Sequence, residues 1–231
     1  MSFHSFYAIH LQSEMETTTT NIKKTNECIP LNCVPSKIFE KARQLFNRIG
    51  VRNTTMDDLA KELGISKKTL YKEIDNKADL VKFCVQHDLD EIENKIKNIS
   101  ASCENAIEEL LQIGETINED IKLYHPGLLR DLTKFYPECS EMIQNHKNTF
   151  AQKNISTNLK KGIEQGLYRS DINIELATIF QLHLCLLPFE IENKNYNTVE
   201  LYQEILKYNL YAIATPKGIE QFHLLQEKYK N

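Results

Sequence analysis

TTMDDLAKELGISKKTLYKEIDNKADL, residues 54–80, predicts two short helices joined by a tight turn and followed by the start of a third. Thr55 is placed to cap the first helix, and Asp58 three residues later completes a capping-box pattern. Asp57 and Asp58 fall in the first turn, where the helix dipole favours acids. Met56, Leu59, Ala60 and Leu63 recur at i, i+3, i+4 and i+7 and form one apolar stripe. Gly64 follows at once, the residue type that a left-handed C-cap prefers. Ile65 drops into the small core, Ser66 caps the next helix, and Leu70 and Ile74 face inward four residues apart.

Two helices with this turn form a helix-turn-helix, a device for placing the second helix in the DNA major groove. The outward residues of that second helix are Lys67, Lys68, Thr69, Tyr71, Lys72 and Glu73. Lys67 and Lys68 occupy the first turn, where cations oppose the helix dipole, so selection for stability alone would place acids there. Beside Ser66 and Thr69 they suit an approaching phosphate or base edge, although a lysine-rich face is also an ordinary way to solvate a helix.

The stretch KIFEKARQLFNRIGVRNTTMDDLAKELGISKKTLYKEIDNKADL, read without gaps, closely resembles the DNA-binding domain of the TetR family of transcriptional regulators. Leu45, Phe46 and Gly50 match the end of that family's first helix, and Thr55 its second-helix start. Gly64, Ile65 and Ser66 match the turn into its recognition helix, and Thr69-Leu70-Tyr71 with Asn76-Lys77 are the most specific pieces. The resemblance implies that Thr55, Tyr71 and Lys77 touch phosphates, while Lys68, Thr69 and Lys72 reach base edges. Many relatives carry His-Phe where this chain has Glu73-Ile74. Ile74 keeps the apolar contact. Glu73 has to accept a cytosine amino hydrogen, pair with Lys72 or Lys77, or point away.

Charge is distributed as a specific DNA reader requires. The net charge is −4, which argues against non-specific nucleic-acid coating. Residues 37–82 hold eleven Lys or Arg against seven Asp or Glu, a local surplus of four that leaves a net eight negative charges elsewhere. The 231 residues suffice for a small DNA-binding unit plus one larger domain, and 41% hydrophobic content supports a buried core. No apolar run approaches a membrane span, and the N-terminal residues lack a basic n-region and an apolar core, so no membrane partner and no signal peptide are expected. Met15 offers a second start. Cysteines at 28, 33, 84, 103, 139 and 185 contain no C-x-x-C pair; with the resemblance, they suggest free thiols in a reducing cytoplasm.

The expected architecture is all-α. Residues 1–35 form a polar arm, 36–82 the helix-turn-helix domain, and 83–231 a helical effector-binding and dimerisation domain. After the head, a long helix starts at Asp75 or Asn76 and carries Val81, Val85, Leu89, Ile92 and Ile96. Further helices are expected over 104–123, 128–135, 137–166, 175–189, 198–214 and 219–229.

No Gly-rich phosphate loop, H-E-x-x-H or G-x-S-x-G is present, so neither enzyme chemistry nor a cofactor is expected. His87 and Glu91, four apart, read as a solvated pair rather than a metal edge, and no metal is expected. His183 and Cys185, two apart, point to different sides of a helix. Tyr124, His125, Phe135, His146 and Phe150 flank a break at Pro126-Gly127. Because relatives enclose an effector between the middle helices, these residues and Cys185 are the candidates for binding a small, mostly apolar effector. Phe180, His183 and Leu187, with Tyr202, Ile205 and Asn209, lie on two apolar helix faces that would pair across a two-fold axis, as in relatives. The resemblance therefore implies a homodimer on a palindromic operator, with repression the favoured mode. The alternatives are an activator, a regulator answering to a protein partner, and a helical-bundle enzyme or metal sensor.

Overall fold

The computed structural model describes residues 36–123, 127–190 and 197–228. Among the described residues eleven α-helices follow one another: α1 (Ser36–Ile49), α2 (Met56–Leu63), α3 (Lys67–Glu73), α4 (Lys77–Ser102), α5 (Ala106–Leu123), α6 (Leu128–Phe135), α7 (Pro137–His146), α8 (Gln152–Glu164), α9 (Ile174–Glu190), α10 (Thr198–Ile213) and α11 (Pro216–Lys228). The 1–35 arm, with Cys28 and Cys33, lies outside the described residues.

The helices of the head start and stop where their caps dictate. Thr55 accepts from the Asp58 N–H at 3.1 Å while its own N–H donates to Asp58 Oδ2 at 2.9 Å, the full capping box. Gly64 closes α2 at φ +66°, a conformation in which a Cβ is strained. Ser66 then caps α3 by accepting from the Thr69 N–H at 3.0 Å. Asn76 does the same for α4, accepting from Asp79 N–H at 3.0 Å.

Two apolar clusters hold the chain together. One joins Phe39, Ala42, Leu45 and Phe46 of α1 to Leu59, Leu70, Ile74 and Leu80. It does not stop at residue 82, because Phe83 and Cys84 of α4, Leu132 of α6 and Cys139 of α7 are buried in it too. The second gathers Ile107 and Leu110 of α5, Leu159 of α8, Leu210 of α10 and Phe222 and Leu225 of α11. Gly114 faces Leu206 and Glu115 acts on Tyr202, so α5 and α10 run antiparallel. A Cβ on Gly114 would sit 2.6 Å from Leu206 Cδ1, too close for any larger residue unless Leu206 shifts. One backbone pairing, Arg169 N–H to the Ile213 carbonyl at 2.8 Å and Thr215 N–H to the Leu167 carbonyl at 2.9 Å, ties the loop before α9 to the end of α10.

The expected single helix over 137–166 is interrupted. Residues Lys147–Ala151 form a π-helical turn between α7 and α8. Cys84, Cys103, Cys139 and Cys185 are free thiols, and no helix among the described residues is long and apolar enough to cross a membrane.

Candidate nucleic-acid interface

The seven residues of α3 bury one face and present the other. Leu70 is fully enclosed at 0% exposure, and Ile74 is buried just beyond the helix. Lys67, Lys68, Thr69, Tyr71, Lys72 and Glu73 are all exposed, with Tyr71 at 47% although it is a large aromatic residue. Lys67 pairs with Asp57 of α2. Lys68 and Lys72 have no ion-pair partner among the described residues, and neither does Glu73. Of the three roles open to Glu73, pairing with Lys72 or Lys77 is not the one adopted. Ser66 and Thr69 share a hydroxyl contact at 2.8 Å, so both cap and helix start are rigidly placed. The result is a short helix fixed at both ends, with two unpaired ammonium groups, a hydroxyl and a phenol on its open side. Such a face can meet phosphates and base edges together.

Two expected phosphate contacts are engaged inside the protein. The Thr55 hydroxyl donates to Asp58 Oδ2 at 2.6 Å. Lys77 is half-buried, and its Nζ donates to the Arg52 carbonyl at 3.4 Å. Burial lowers the Lys77 pKa, while Asp131 and Asp58 oppose that shift.

Ion pairs bind the head to α4. Arg43 of α1 reaches Asp88 at 2.8 Å and Glu91 at 3.1 Å. Lys95 in turn holds Glu91 at 3.0 Å and Asp120 of α5 at 3.4 Å. Burial pushes the Asp88 carboxyl up to about 6 against the pull of Arg43. His87, Asp88 and Glu91 bring three possible metal-ligand atoms within 4.8 Å of one another. Arg43 and Lys95 already neutralise those carboxylates, so the cluster is arranged as an ion-pair network rather than a metal cage.

Of the effector candidates among the described residues, His146 and Phe150 are in contact. Tyr124 and His125 lie outside the described residues. Phe135 packs under the Arg52 guanidinium, 5.3 Å from the ring centre, on the head side of α6. His146 stacks on Phe150 at 5.3 Å and faces Glu93 of α4 at 3.6 Å, with Lys97 over the Phe150 ring. Burial lowers the His146 pKa, partly offset by Glu93. Cys185 belongs to α9, where burial pushes its thiol up to about 12, and it lies beside Tyr202. A cavity of about 30 Å³ lies between Arg43, Phe46, Val81, Asp88 and Leu132, and a surface groove of about 320 Å³ lies between Ser102, Glu108 and Leu224. Neither is lined by Phe135, His146, Phe150 or Cys185.

The dimer candidates divide. Phe180 is 61% exposed and His183 is exposed, while Leu187 is half-buried. Tyr202, Ile205 and Asn209 are buried within the single chain, which corrects their assignment to an outward face. The physical reason is that α10 packs against both α9 and α5, the latter at Gly114 and Leu206. What α10 exposes instead is Tyr208 at 69% and Tyr211 at 51%. Leu176 and Ile179 of α9 are exposed as well. Tyr208 and Tyr211 escaped the sequence reading because they lie outside the apolar repeat; tyrosines off a helix's apolar stripe were the available signal.

Residues 38–83 match the bacterial regulatory proteins of the tetR family. An HTH-type transcriptional regulator of Staphylococcus aureus (strain MRSA252) is 31% identical over 182 residues, spanning 76% of this chain and 90% of that protein. A TetR-family regulator from Marinobacter aquaeolei VT8 shares the fold with a TM-score of 0.66 at 22% identity, over 84% of this chain and 97% of that one. A ketosteroid transcriptional regulator of Mycobacterium tuberculosis does so at 0.57 and 22%, over 78% and 94%. With α3 capped, braced and open on its basic side, the chain belongs to the TetR family of DNA-binding transcriptional regulators.

Proposed function

We propose that this regulator is a homodimeric repressor whose two α3 helices read the half-sites of a palindromic operator. Lys68, Thr69 and Lys72 reach base edges, while Tyr71, Thr55 and Lys77 position the backbone. The observation that carries this reading is the unpaired, exposed Lys68–Lys72 side of α3. Dimerisation uses the exposed face of α9 and α10, where Leu176, Ile179, Phe180, Tyr208 and Tyr211 leave large apolar groups in water. An effector that binds the DNA-free form more tightly releases the operator; equal affinity for both forms would shift nothing.

Mapping bound DNA across the genome tests the operator, and transcript levels after deletion of the gene test repression. Target transcripts should rise. A fall would make the protein an activator. A second reading has the body answer to a protein partner rather than a small molecule. Operator release by a purified apolar compound, with no second protein present, would decide against it.

A further inference from the structure

Glu73, the last residue of α3, carries a charge that neither helix stability nor general DNA affinity accounts for. An acid in the last turn opposes the helix dipole, and beside DNA it repels phosphates. Among the described residues it has no ion-pair partner, and Lys67 of the same helix is taken by Asp57. Its place is nevertheless fixed. Glu73 stands between Leu70, at 0% exposure, and Ile74, at 5%, and the Ile74 N–H donates to the Leu70 carbonyl at 3.1 Å. The Glu73 side chain itself is exposed. Four residues separate Thr69 from Glu73, as they do Lys68 from Lys72, so the open side of α3 carries two rows, each one turn long. Four residues rise about 6 Å, close to two base-pair steps of about 3.4 Å. A docked α3 whose Thr69 reaches a base edge therefore brings Glu73 over neighbouring base pairs of the groove, not out to solvent.

We infer that Glu73 is a specificity-determining residue of the reading helix, whose carboxylate accepts a hydrogen bond from the N4 amino group of a cytosine in each operator half-site. This inference rests on the operator-binding reading and names a base that the operator must contain. In the major groove cytosine offers a donor alone, and adenine a donor beside the N7 acceptor. Guanine and thymine present oxygen acceptors, which a carboxylate repels. Lys68 and Lys72, with unpaired ammonium groups, suit guanine O6 and N7 by the same code. The charges left free on α3 thus call for a half-site rich in G·C pairs, with the cytosine edge of one pair turned to Glu73.

The test presents the full chain with a pool of randomised duplexes and compares the sequences bound by the wild type, Glu73→Ala, Glu73→Gln and Lys68→Ala. Circular dichroism checks that each variant keeps the wild-type helical content. The wild type should select cytosine over thymine at one position of each half-site by about five-fold or more. Glu73→Ala should lose the preference at that position alone. Its affinity for unrelated duplex should rise about two- to five-fold, the scale of one exposed charge interaction. A residue with only a structural role would not free the choice at one base pair while tightening binding to all others. Glu73→Gln, which can pair with adenine N6 and N7, should admit adenine at the same position. If Glu73→Ala misfolds, Glu73→Gln decides alone. Selection of the wild-type half-site by the Glu73 variants would overturn the inference, as would a freed position that is not cytosine in the wild-type site. Lys68→Ala tells the two readings apart. If it leaves operator affinity and base choice intact, the DNA-reading assignment of α3 fails; if it weakens the operator while the Glu73 variants select as the wild type does, the role of Glu73 alone is wrong.

Discussion

In the α2–α3 hairpin the helix ends are closed by residues a few positions away, whereas α9 and α10 take their places from partners in distant parts of the chain. Thr55 with Asp58, Ser66 with Thr69, and Gly64 with its own positive φ need no tertiary neighbour to set the turn. In α10, by contrast, Leu206 is located by Gly114 of α5, and Tyr202 lies beside Cys185 of α9. The difference separates two kinds of surface. The open side of α3 is polar and is presented by local geometry. The open side of α9 and α10 carries Phe180, Tyr208 and Tyr211, left over after the body has taken the apolar stripe it needs.

Substitutions on the two sides of the α9–α10 pair should break this comparison most visibly. Tyr202→Asp places an unpaired charge at a position with 1% exposure, and should cost upward of about 4 kcal/mol and abolish the cooperative melt. Phe180→Asp, at 61% exposure, should leave helical content intact while the protein sediments as a monomer and loses operator binding. If both variants unfold alike, α9 has no free face and the proposed dimer surface is wrong.

The head offers the next test. Leu70→Ala should cost about 2–5 kcal/mol, as deletion of a fully buried leucine does. Leu132→Ala should fall in the same range and reduce operator affinity in parallel, because this α6 residue completes the core of the head. Denaturant melts of both variants check this; a negligible cost for Leu132→Ala would mean that the head is closed without α6. Thr55→Ala removes one half of the capping box and should cost about 1 kcal/mol.

The smallest effect concerns pH. The folded-state pKa of Asp88 is raised to about 6, so the folded chain binds a proton there that the unfolded chain releases nearer to pH 4. Its contribution to stability is therefore most favourable below about pH 4, and falls as pH rises through about 6. Burial drives that shift; Glu91 of α4 and Asp120 of α5 add to it, while Arg43 of α1 and Lys95 of α4 oppose it. Asp88→Asn should flatten the melting-temperature profile between pH 4 and 6. An Asn variant with the wild-type profile would assign the slope to other groups.

The head was legible because its signals are short-range. Capping residues, the left-handed glycine and the 3.6-residue stripe through Met56, Leu59 and Ala60 each announce a boundary within one turn, and the helices begin and end where they indicate. Most body helices were placed by the same periodicity, with ends within a few residues. The π-helical turn at Lys147–Ala151 was not visible, because one extra residue in a helical turn needs no glycine, proline or change of composition. Periodicity also showed that α10 has an apolar stripe without showing which helix covers it. Tyr202, Ile205 and Asn209 therefore read as an outward face, whereas they are buried where α10 packs against α9 and α5. The effector residues were chosen by chemistry and by closeness to a chain break, and the fold sends Phe135 to the head and His146 to α4.

Operator binding by Lys68→Ala tests the central claim most directly, because Lys68 is exposed, has no ion-pair partner among the described residues and supports no packing. The protein should fold and melt as the wild type does. Its affinity for the mapped site should fall by about 1–3 kcal/mol, roughly 5- to 150-fold, with relaxed choice at one base position of each half-site. Wild-type affinity and wild-type base preference in that variant would contradict the assignment of α3 as the reading helix.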